Sequence, residues 1–265
     1  MTDMAGKVVV ITGGNTAIGK EAAVALAGRG AQVVITSRNE ERGRSAREEI
    51  AERSGNDSVD VMPLDLASFR SIRSFATDAL DRFDHLDVLV NNAGLILYRR
   101  AETQEGFEET FGVNHLGHFL LTDLLLERLR ASAPSRVVVV SSGAHKGARR
   151  GLDFDDLQSE HKYKWMNAYN KSKLANIYPG AFTAGRVSTL CVPYTYNALA
   201  SMSSDGWAER DMKRWLRLTH WKTAHNWHQP TSIRVPIANC ALLYACDRSS
   251  DVGQFDHESR QGARR

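Results

Sequence analysis

Short, continuous runs of apolar and β-branched residues alternate with helical patterns through residue 177, and this alternation narrows the fold more than any other feature. Runs that are apolar throughout indicate strands buried on both faces, as in a parallel sheet. The predicted strands are Lys7–Ile11, Gln32–Thr36, Val59–Leu64, Leu86–Val90 and Arg136–Val140. The predicted helices are Ile18–Ala27, Glu40–Ser54, Ser68–Phe83, Glu105–Arg130 and Asn167–Ile177. Together they predict an α/β fold with a doubly wound parallel sheet, the three-layer α/β/α Rossmann arrangement.

The same regularity predicts one Rossmann domain over residues 1–265, with an atypical stretch at 178–235. No linker, internal repeat or low-complexity tract interrupts the pattern before residue 178. The composition, 42% hydrophobic and 25% charged, is typical of soluble globular proteins. A net charge of only +3 argues against a nucleic-acid or anionic-membrane partner.

Cysteine usage and hydropathy predict the compartment. The three cysteines are odd in number and lack C-x-x-C spacing, so neither a disulfide framework nor a metal site is expected. The first residues do not resemble a signal peptide, and no apolar stretch is long enough to span a bilayer. We therefore expect a cytoplasmic protein that uses no metal.

A glycine-rich turn joins the first strand to the first helix, in the sequence T-G-G-N-T-A-I-G. Glycine lets the backbone approach a pyrophosphate, whose charge then lies at the helix N-terminus. Position 17 is alanine where glycine is usual, which predicts a mild steric effect. The cofactor-binding residues expected in this turn are Thr12, Gly13, Asn15, Thr16, Ile18 and Gly19.

The end of the second strand predicts which dinucleotide is preferred. An enzyme that uses NAD usually has an acidic residue there to bind the ribose 2′-hydroxyl. This chain has Ser37 and Arg38 instead, and arginine can bind a 2′-phosphate through charge-assisted hydrogen bonds. The expected cofactor is therefore NADP, with NAD as the alternative, and the competing interpretation of Arg38 is a solvated surface side chain.

Tyr169 and Lys173 lie four residues apart in the last predicted helix, so one helix face presents both side chains. A nearby ammonium favours the phenolate and lowers the pKa of a tyrosine. Ser142, at the end of the fifth strand, can donate a hydrogen bond to a substrate carbonyl oxygen. A surface pair would explain Tyr169 and Lys173 alone, but together with Ser142 and the glycine turn they predict acid–base chemistry at a carbonyl.

Several motifs in order resemble the classical short-chain dehydrogenase/reductase family, and the wording V-N-H-L-G-H-F at 113–119 resembles its retinol-dehydrogenase-like branch. The matching motifs are residues 12–19, Asp65-Leu66, N-N-A-G at 91–94, Asn114, Ser142 and Y-N-K-S-K at 169–173. The resemblance implies reversible conversion of a carbonyl substrate, an aldehyde or ketone that is apolar or retinoid-like, to an alcohol. It also implies a homodimer or homotetramer.

The resemblance assigns roles to individual residues as well. It implies a catalytic tetrad of Asn114, Ser142, Tyr169 and Lys173, in which Asn114 kinks its helix and holds a water beside Lys173. Tyr169 and Lys173 also contact the cofactor, and His115 and His118 are interpreted as structural. Residues expected on the adenosine and ribose side are Asp65, Leu66, Asn91, Ala93 and Gly94.

The resemblance covers residues 5–177 and returns at 241–255, with a break between. Pro179 and Gly180 should end the catalytic helix, although Val187–Pro193 could imitate the family's sixth strand. A shifted reading frame would explain the break, and resequencing the gene across it tests that hypothesis. The alternative function is an NADP-binding scaffold without turnover. The tryptophan-rich stretch Trp207–His228 is interpreted as a substrate lid or a simple flap.

Overall fold

A computed structural model describes residues 3–177 and, as backbone, residues 187–194. All of these residues lie in one compact unit. The predictions for 178–186 and for the chain after residue 194, including the lid and the limits of the single domain, lie outside the described residues. None of the described helices is long and apolar enough to cross a membrane.

The centre of the structure is a parallel sheet of six strands in the order β3-β2-β1-β4-β5-β6. The strands are β1 (Val8–Ile11), β2 (Gln32–Ser37), β3 (Val59–Pro63), β4 (Val88–Asn91), β5 (Ser135–Ser142) and β6 (Val187–Tyr194). The doubly wound α/β fold is therefore confirmed. Strand β6 confirms that 187–193 takes the place of a sixth strand, and it pairs with β5 along its whole length.

Helices connect the strands. They are α1 (Ala17–Ala27), α2 (Glu40–Ser54), α3 (Phe69–Arg82), α4 (Glu109–Phe111), α5 (Gly117–Ala131) and α6 (Trp165–Ala175). A π-helical segment, Gly112–Leu116, joins α4 to α5, and a 3₁₀ turn, Gly143–Gly147, follows β5.

Two hydrophobic cores cover the two faces of the sheet, because successive residues of each strand point to opposite faces. Val8, Val10 and Leu89 belong to the core beneath α3 and α5, whereas Val9 and Ile11 belong to the core beneath α1 and α2. All four residues of β1 are buried. Burial on both faces explains why the strands are uniformly apolar in sequence.

The helix predicted over Glu105–Arg130 was wrong in its extent and continuity. Residues before Glu108 are not helical, since the Glu108 carboxylate caps α4 by accepting hydrogen bonds from Thr110 N and Phe111 N. The helix then passes through the π-helical segment, which an apolar period does not reveal. The catalytic helix is also shifted, beginning at Trp165 and ending at Ala175.

The strand order reverses between β1 and β4. The chain runs outward from β1 to β3 and then returns to β4 on the other side of β1. In open α/β sheets, ligands bind at this point, beyond the carboxyl ends of the strands. The turns after β1 and β4 therefore face each other across a cleft.

Candidate active site

A cavity of about 480 Å³ lies at this reversal point. Most of the cofactor residues expected from the sequence line it: Gly13, Asn15, Thr16, Ile18, Gly19, Ser37, Arg38, Asp65, Leu66, Ala93 and Gly94. The tertiary structure adds residues that were not expected: Ala17, Thr36, Asn39, Arg42, Leu64, Asn92, Leu95 and Val113. Of these, Arg42 forms a basic cluster with Arg38 after β2, and Asn39 lies between them in the sequence. The cluster could have indicated both residues as part of the site.

The glycine turn fits the pyrophosphate of a dinucleotide. Gly13 has a φ of +63°, and a Cβ there would lie 3.1 Å from Ala93. A Cβ at Gly19 would collide with the Gly13 carbonyl oxygen and lie 2.6 Å from Asn92 Nδ2. Only glycine lets the turn and the start of α1 come this close, which leaves the cavity open above them.

The N-terminus of α1 provides backbone donors to the cavity. Its N-cap, Thr16, makes no side-chain capping hydrogen bond, whereas Asn39 and Ser68 cap α2 and α3. The first turn of α1 also contains no acidic residue. Unpaired amides and the helix dipole at such an end favour a phosphate group. These residues therefore fit a dinucleotide pyrophosphate.

Ala17, the first residue of α1, has a φ of +45°, in the left-handed region that L-residues with a Cβ rarely adopt. The mild steric effect expected from the sequence is thus a backbone strain located in the wall of the cofactor cavity.

Replacing Ala17 with glycine should raise the free energy of unfolding by about 1 kcal/mol, since glycine adopts this conformation without strain. Urea unfolding of the purified protein measures the change. Ala25→Gly is the matched control, because Ala25 lies in the ordinary helical part of α1. It should lower the unfolding free energy by about 1 kcal/mol. Destabilisation by both substitutions would contradict strain at Ala17.

Thr12 and Asn91 support the cavity from below instead of lining it. Thr12 directly follows β1 and Asn91 is the last residue of β4, and both side chains are buried in the protein. Thr12 Oγ1 accepts hydrogen bonds from Asn92 N (2.9 Å) and Ala93 N (3.0 Å). Asn91 Nδ2 donates to Thr122 Oγ1 on α5. Strand alternation points the Asn91 side chain into the core, and a contact of Asn91 with the adenosine side stays a prediction.

Two of the expected reactive groups, Asn114 and Lys173, lie next to Gly94 in the cavity wall. A Cβ at Gly94 would lie 3.2 Å from Asn114 Oδ1 and 3.4 Å from Lys173 Nζ. Lys173 is 5% exposed, and its ammonium also donates to Val140 O at 3.2 Å. A side chain at Gly94 would thus occupy the space between the cavity and the two polar groups.

Asn114 lies in the π-helical segment, and the kink implied by the resemblance stays a prediction. Its side chain accepts from Leu95 N (2.8 Å) and donates to Ser172 Oγ (3.0 Å). Its carbonyl oxygen accepts from His118 Nδ1 and Asn176 Nδ2. Asn114 therefore ties the turn after β4 to α6, and the water expected beside Lys173 stays a prediction.

Tyr169 and Ser142 complete the set. Tyr169 is 7% exposed on α6, with Lys173 Nζ 5.7 Å from its ring centroid. Ser142 ends β5, where its Oγ accepts a hydrogen bond from Ala144 N at 3.2 Å. Because that bond uses the oxygen as acceptor, the hydroxyl proton can be donated to a substrate. A serine hydroxyl that can donate and a tyrosine with an ammonium nearby are groups able to bind a carbonyl oxygen and to protonate it.

The family model described as short chain dehydrogenase matches residues 7–152, which include the glycine turn, the cavity and Ser142. The chain belongs to the short-chain dehydrogenase family. This short-chain dehydrogenase is similar to retinol dehydrogenase 11 from Homo sapiens, at 53% identity over 172 residues. That match covers 65% of this chain and 54% of the human protein. The chain thus spans about half the length of the curated relatives it matches.

Two solved structures share the fold of this short-chain dehydrogenase. A protein from Mycobacterium paratuberculosis is 41% identical, with a TM-score of 0.58, over 67% of this chain and 61% of that one. The NADP complex of RhlG from Pseudomonas aeruginosa is 28% identical, with a TM-score of 0.52, over 65% of this chain and 64% of that one. The second protein binds NADP in its active site.

Proposed function

We propose that this short-chain dehydrogenase is an NADP-preferring oxidoreductase that interconverts a carbonyl compound and its alcohol. The observation that carries the proposal is the position of Gly94. It lines the dinucleotide cavity, and a Cβ on it would lie within contact distance of Asn114 Oδ1 and Lys173 Nζ. The residues that would hold a cofactor are therefore continuous with groups that could move a proton.

When bound, the reduced nicotinamide supplies a hydride to the carbonyl carbon. Tyr169 donates its phenolic proton to the carbonyl oxygen, and Ser142 orients that oxygen with a hydrogen bond. The nearby ammonium of Lys173 stabilises the phenolate left on Tyr169. In the reverse direction, the Tyr169 phenolate accepts the alcohol proton. The backbone contacts of Asn114 hold the turn at Leu95 and helix α6 in fixed positions during both steps.

Preference for NADP is supported by two arginines at the adenosine end of the cavity. Arg38 and Arg42 both line it, and both are exposed. Within the described residues, neither pairs with a carboxylate, whereas the neighbouring Arg44 lies 3.8 Å from Glu40. Two guanidinium groups without acidic partners provide a site for a 2′-phosphate.

An apolar substrate is supported by an aromatic pair near Tyr169. Tyr98 is 75% exposed, and its ring centroid lies 5.0 Å from that of Trp165. Trp165 precedes Tyr169 by one helical turn on α6, so the two side chains lie on the same face of that helix. Similarity to retinol dehydrogenase 11 points to the same class of apolar alcohols and aldehydes.

The test is a fluorescence titration of the purified full chain with NADPH and with NADH, followed by addition of apolar aldehydes and ketones. We expect NADPH to bind more tightly and to be consumed when a carbonyl is added. Binding without consumption would favour the scaffold alternative. Absence of binding by either nucleotide would overturn the proposal.

Substituting Arg38 or Arg42 with alanine should weaken NADPH binding by about 10- to 100-fold each, the usual range for a hydrogen bond to a charged group. The affinity for NADH should change little, because NADH has no 2′-phosphate. Arg44→Ala is the matched control from the same helix, and it should leave both affinities unchanged. An equal loss of NADPH and NADH binding would contradict recognition of the 2′-phosphate.

A further inference from the structure

A buried series of hydrogen bonds connects the cofactor turn to the catalytic helix α6 through His118. Thr12 Oγ1 lies 2.8 Å from His118 Nε2, and His118 Nδ1 lies 3.2 Å from the carbonyl oxygen of Asn114. Asn176 Nδ2, just after α6, donates to the same oxygen at 3.0 Å. All four residues are at most 4% exposed. This series of hydrogen bonds therefore runs through the protein interior from the end of β1 to the end of α6.

The direction of each hydrogen bond follows from the chemistry of its partners. The Asn114 carbonyl can only accept, so His118 carries its proton on Nδ1 and its Nε2 is an acceptor. Thr12 Oγ1 already accepts from Asn92 N and Ala93 N, so its single proton is donated. His118 Nε2 at 2.8 Å is a closer acceptor than Val90 O at 3.3 Å. Burial lowers the pKa of His118 to about 3, which keeps the ring neutral, as this arrangement requires.

His118 lies in the middle of this series of hydrogen bonds, whereas His115 lies at its end. His115 Nδ1 lies 3.0 Å from Asn176 Oδ1, but its Nε2 has no partner among the described residues. His118, by contrast, uses both ring nitrogens to connect groups on different elements. One nitrogen contacts Thr12, which fixes two amides of the cavity wall, and the other contacts Asn114, which lies beside the reacting groups.

We propose that His118 is a positioning residue that holds the cofactor turn in register with Asn114 and Lys173. This inference rests on the proposed function, because the register concerns a bound dinucleotide. When the imidazole is present, the Thr12 hydroxyl points to α5 and its oxygen stays aligned on the amides of Asn92 and Ala93. Without it, the hydroxyl turns to Val90 O and the alignment weakens.

The test is a double-substitution cycle on the full chain, with variants His118→Leu, Thr12→Val and their combination. Two readouts are used: the NADPH dissociation constant, and hydrogen–deuterium exchange of the peptide containing Asn92 and Ala93 in cofactor-free protein. His118→Leu should raise the dissociation constant about tenfold, the effect of one buried hydrogen bond. The combined variant should bind no more weakly than Thr12→Val, and the amides should exchange faster in all three.

Conservative variants separate positioning from packing. A glutamine amide carries a donor and an acceptor on one carbon, as imidazole does about Cε1, so His118→Gln should bind NADPH within about threefold of wild type. Thr12→Ser keeps the hydroxyl and should also bind NADPH within about threefold of wild type. Ser135→Ala is the control, since it removes a buried hydroxyl that donates to Leu129 O at the start of β5. It should change neither readout.

Additive effects of His118→Leu and Thr12→Val would overturn the proposal, as would unchanged amide exchange in a folded His118→Leu. If His118→Leu does not fold, Thr12→Val and Thr12→Ser are compared in a background with the native histidine. Equal NADPH affinity and equal exchange of the Asn92 and Ala93 amides in these two variants then counts against positioning. Failure of wild type to bind NADPH or NADH would overturn the proposed function alone, because amide exchange without cofactor still decides the role of His118.

Discussion

Tyr169→Phe is expected to lower kcat by about 10²- to 10⁴-fold, the usual contribution of a general acid–base group. The substitution removes the phenolic proton and little else, since the ring that packs on α6 is retained. Binding of NADPH should be nearly unchanged, because the substitution leaves the glycine turn and the two arginines that line the cavity intact. Steady-state rates with an aldehyde and a fluorescence titration with NADPH measure the two quantities separately.

Tyr163→Phe is the matched control for this experiment. The Tyr163 hydroxyl belongs to a tyrosine just before α6 and donates to Leu97 O at 2.6 Å, which fixes a loop. Its removal should lower stability slightly and keep kcat within a few-fold. Turnover of Tyr169→Phe close to that of wild type would show that another group transfers the proton.

The second large expected effect is a loss of folding stability at acid pH, caused by two buried histidines. Burial lowers the pKa of His115 to about 4 and that of His118 to about 3, so both rings stay neutral in the folded protein as the pH falls. In the unfolded chain, both histidines bind a proton near pH 6.5. The unfolded state therefore binds about two more protons than the native state between about pH 6 and pH 5. The contribution of these two histidines to stability is complete above the pKa that they have in the unfolded chain. It is lost as the pH falls from that value towards their pKa in the folded protein.

The free energy of unfolding should therefore change with pH by about 2.7 kcal/mol per pH unit, or about 1.4 kcal/mol for each histidine. Urea unfolding at several pH values between 6.5 and 5 measures it. Replacing His118 with glutamine should roughly halve the slope, because one of the two titrating groups is gone. Ser135→Ala, which removes a buried hydroxyl and no ionisable group, should leave the slope unchanged. A slope that is the same with and without His118 would contradict this account.

Much of the fold was predictable because strands buried on both faces leave a local trace. The apolar runs at β1, β2 and β4 occur where parallel strands require them, and the polar residues that follow mark the carboxyl edge. Tyr169 and Lys173 were predicted to share a helix face from their spacing alone. The helix at 105–130 was predicted poorly, because hydrophobic period does not record a capping glutamate or a π-helical segment.

The cofactor cavity was also predictable only in part from the sequence. Glycine chemistry identified Gly13 and Gly19 in the sequence, yet the strain at Ala17 and the second arginine, Arg42, became visible only in three dimensions. Thr12 and Asn91 belong to the right motifs but lie beneath the cavity. A motif gives the position of a residue along the chain, whereas the strand pleat decides the face to which its side chain points.

By itself, the sequence determined the parallel α/β architecture, the edge of the sheet that holds the site and the pairing of Tyr169 with Lys173, since each depends on neighbours along the chain. Only the tertiary structure brought Asn114 beside Lys173 and linked Thr12 to α6 through His118. These contacts join elements that are far apart in sequence. Their formation depends on sheet order, helix packing and the exclusion of water from the interior, which no local pattern encodes.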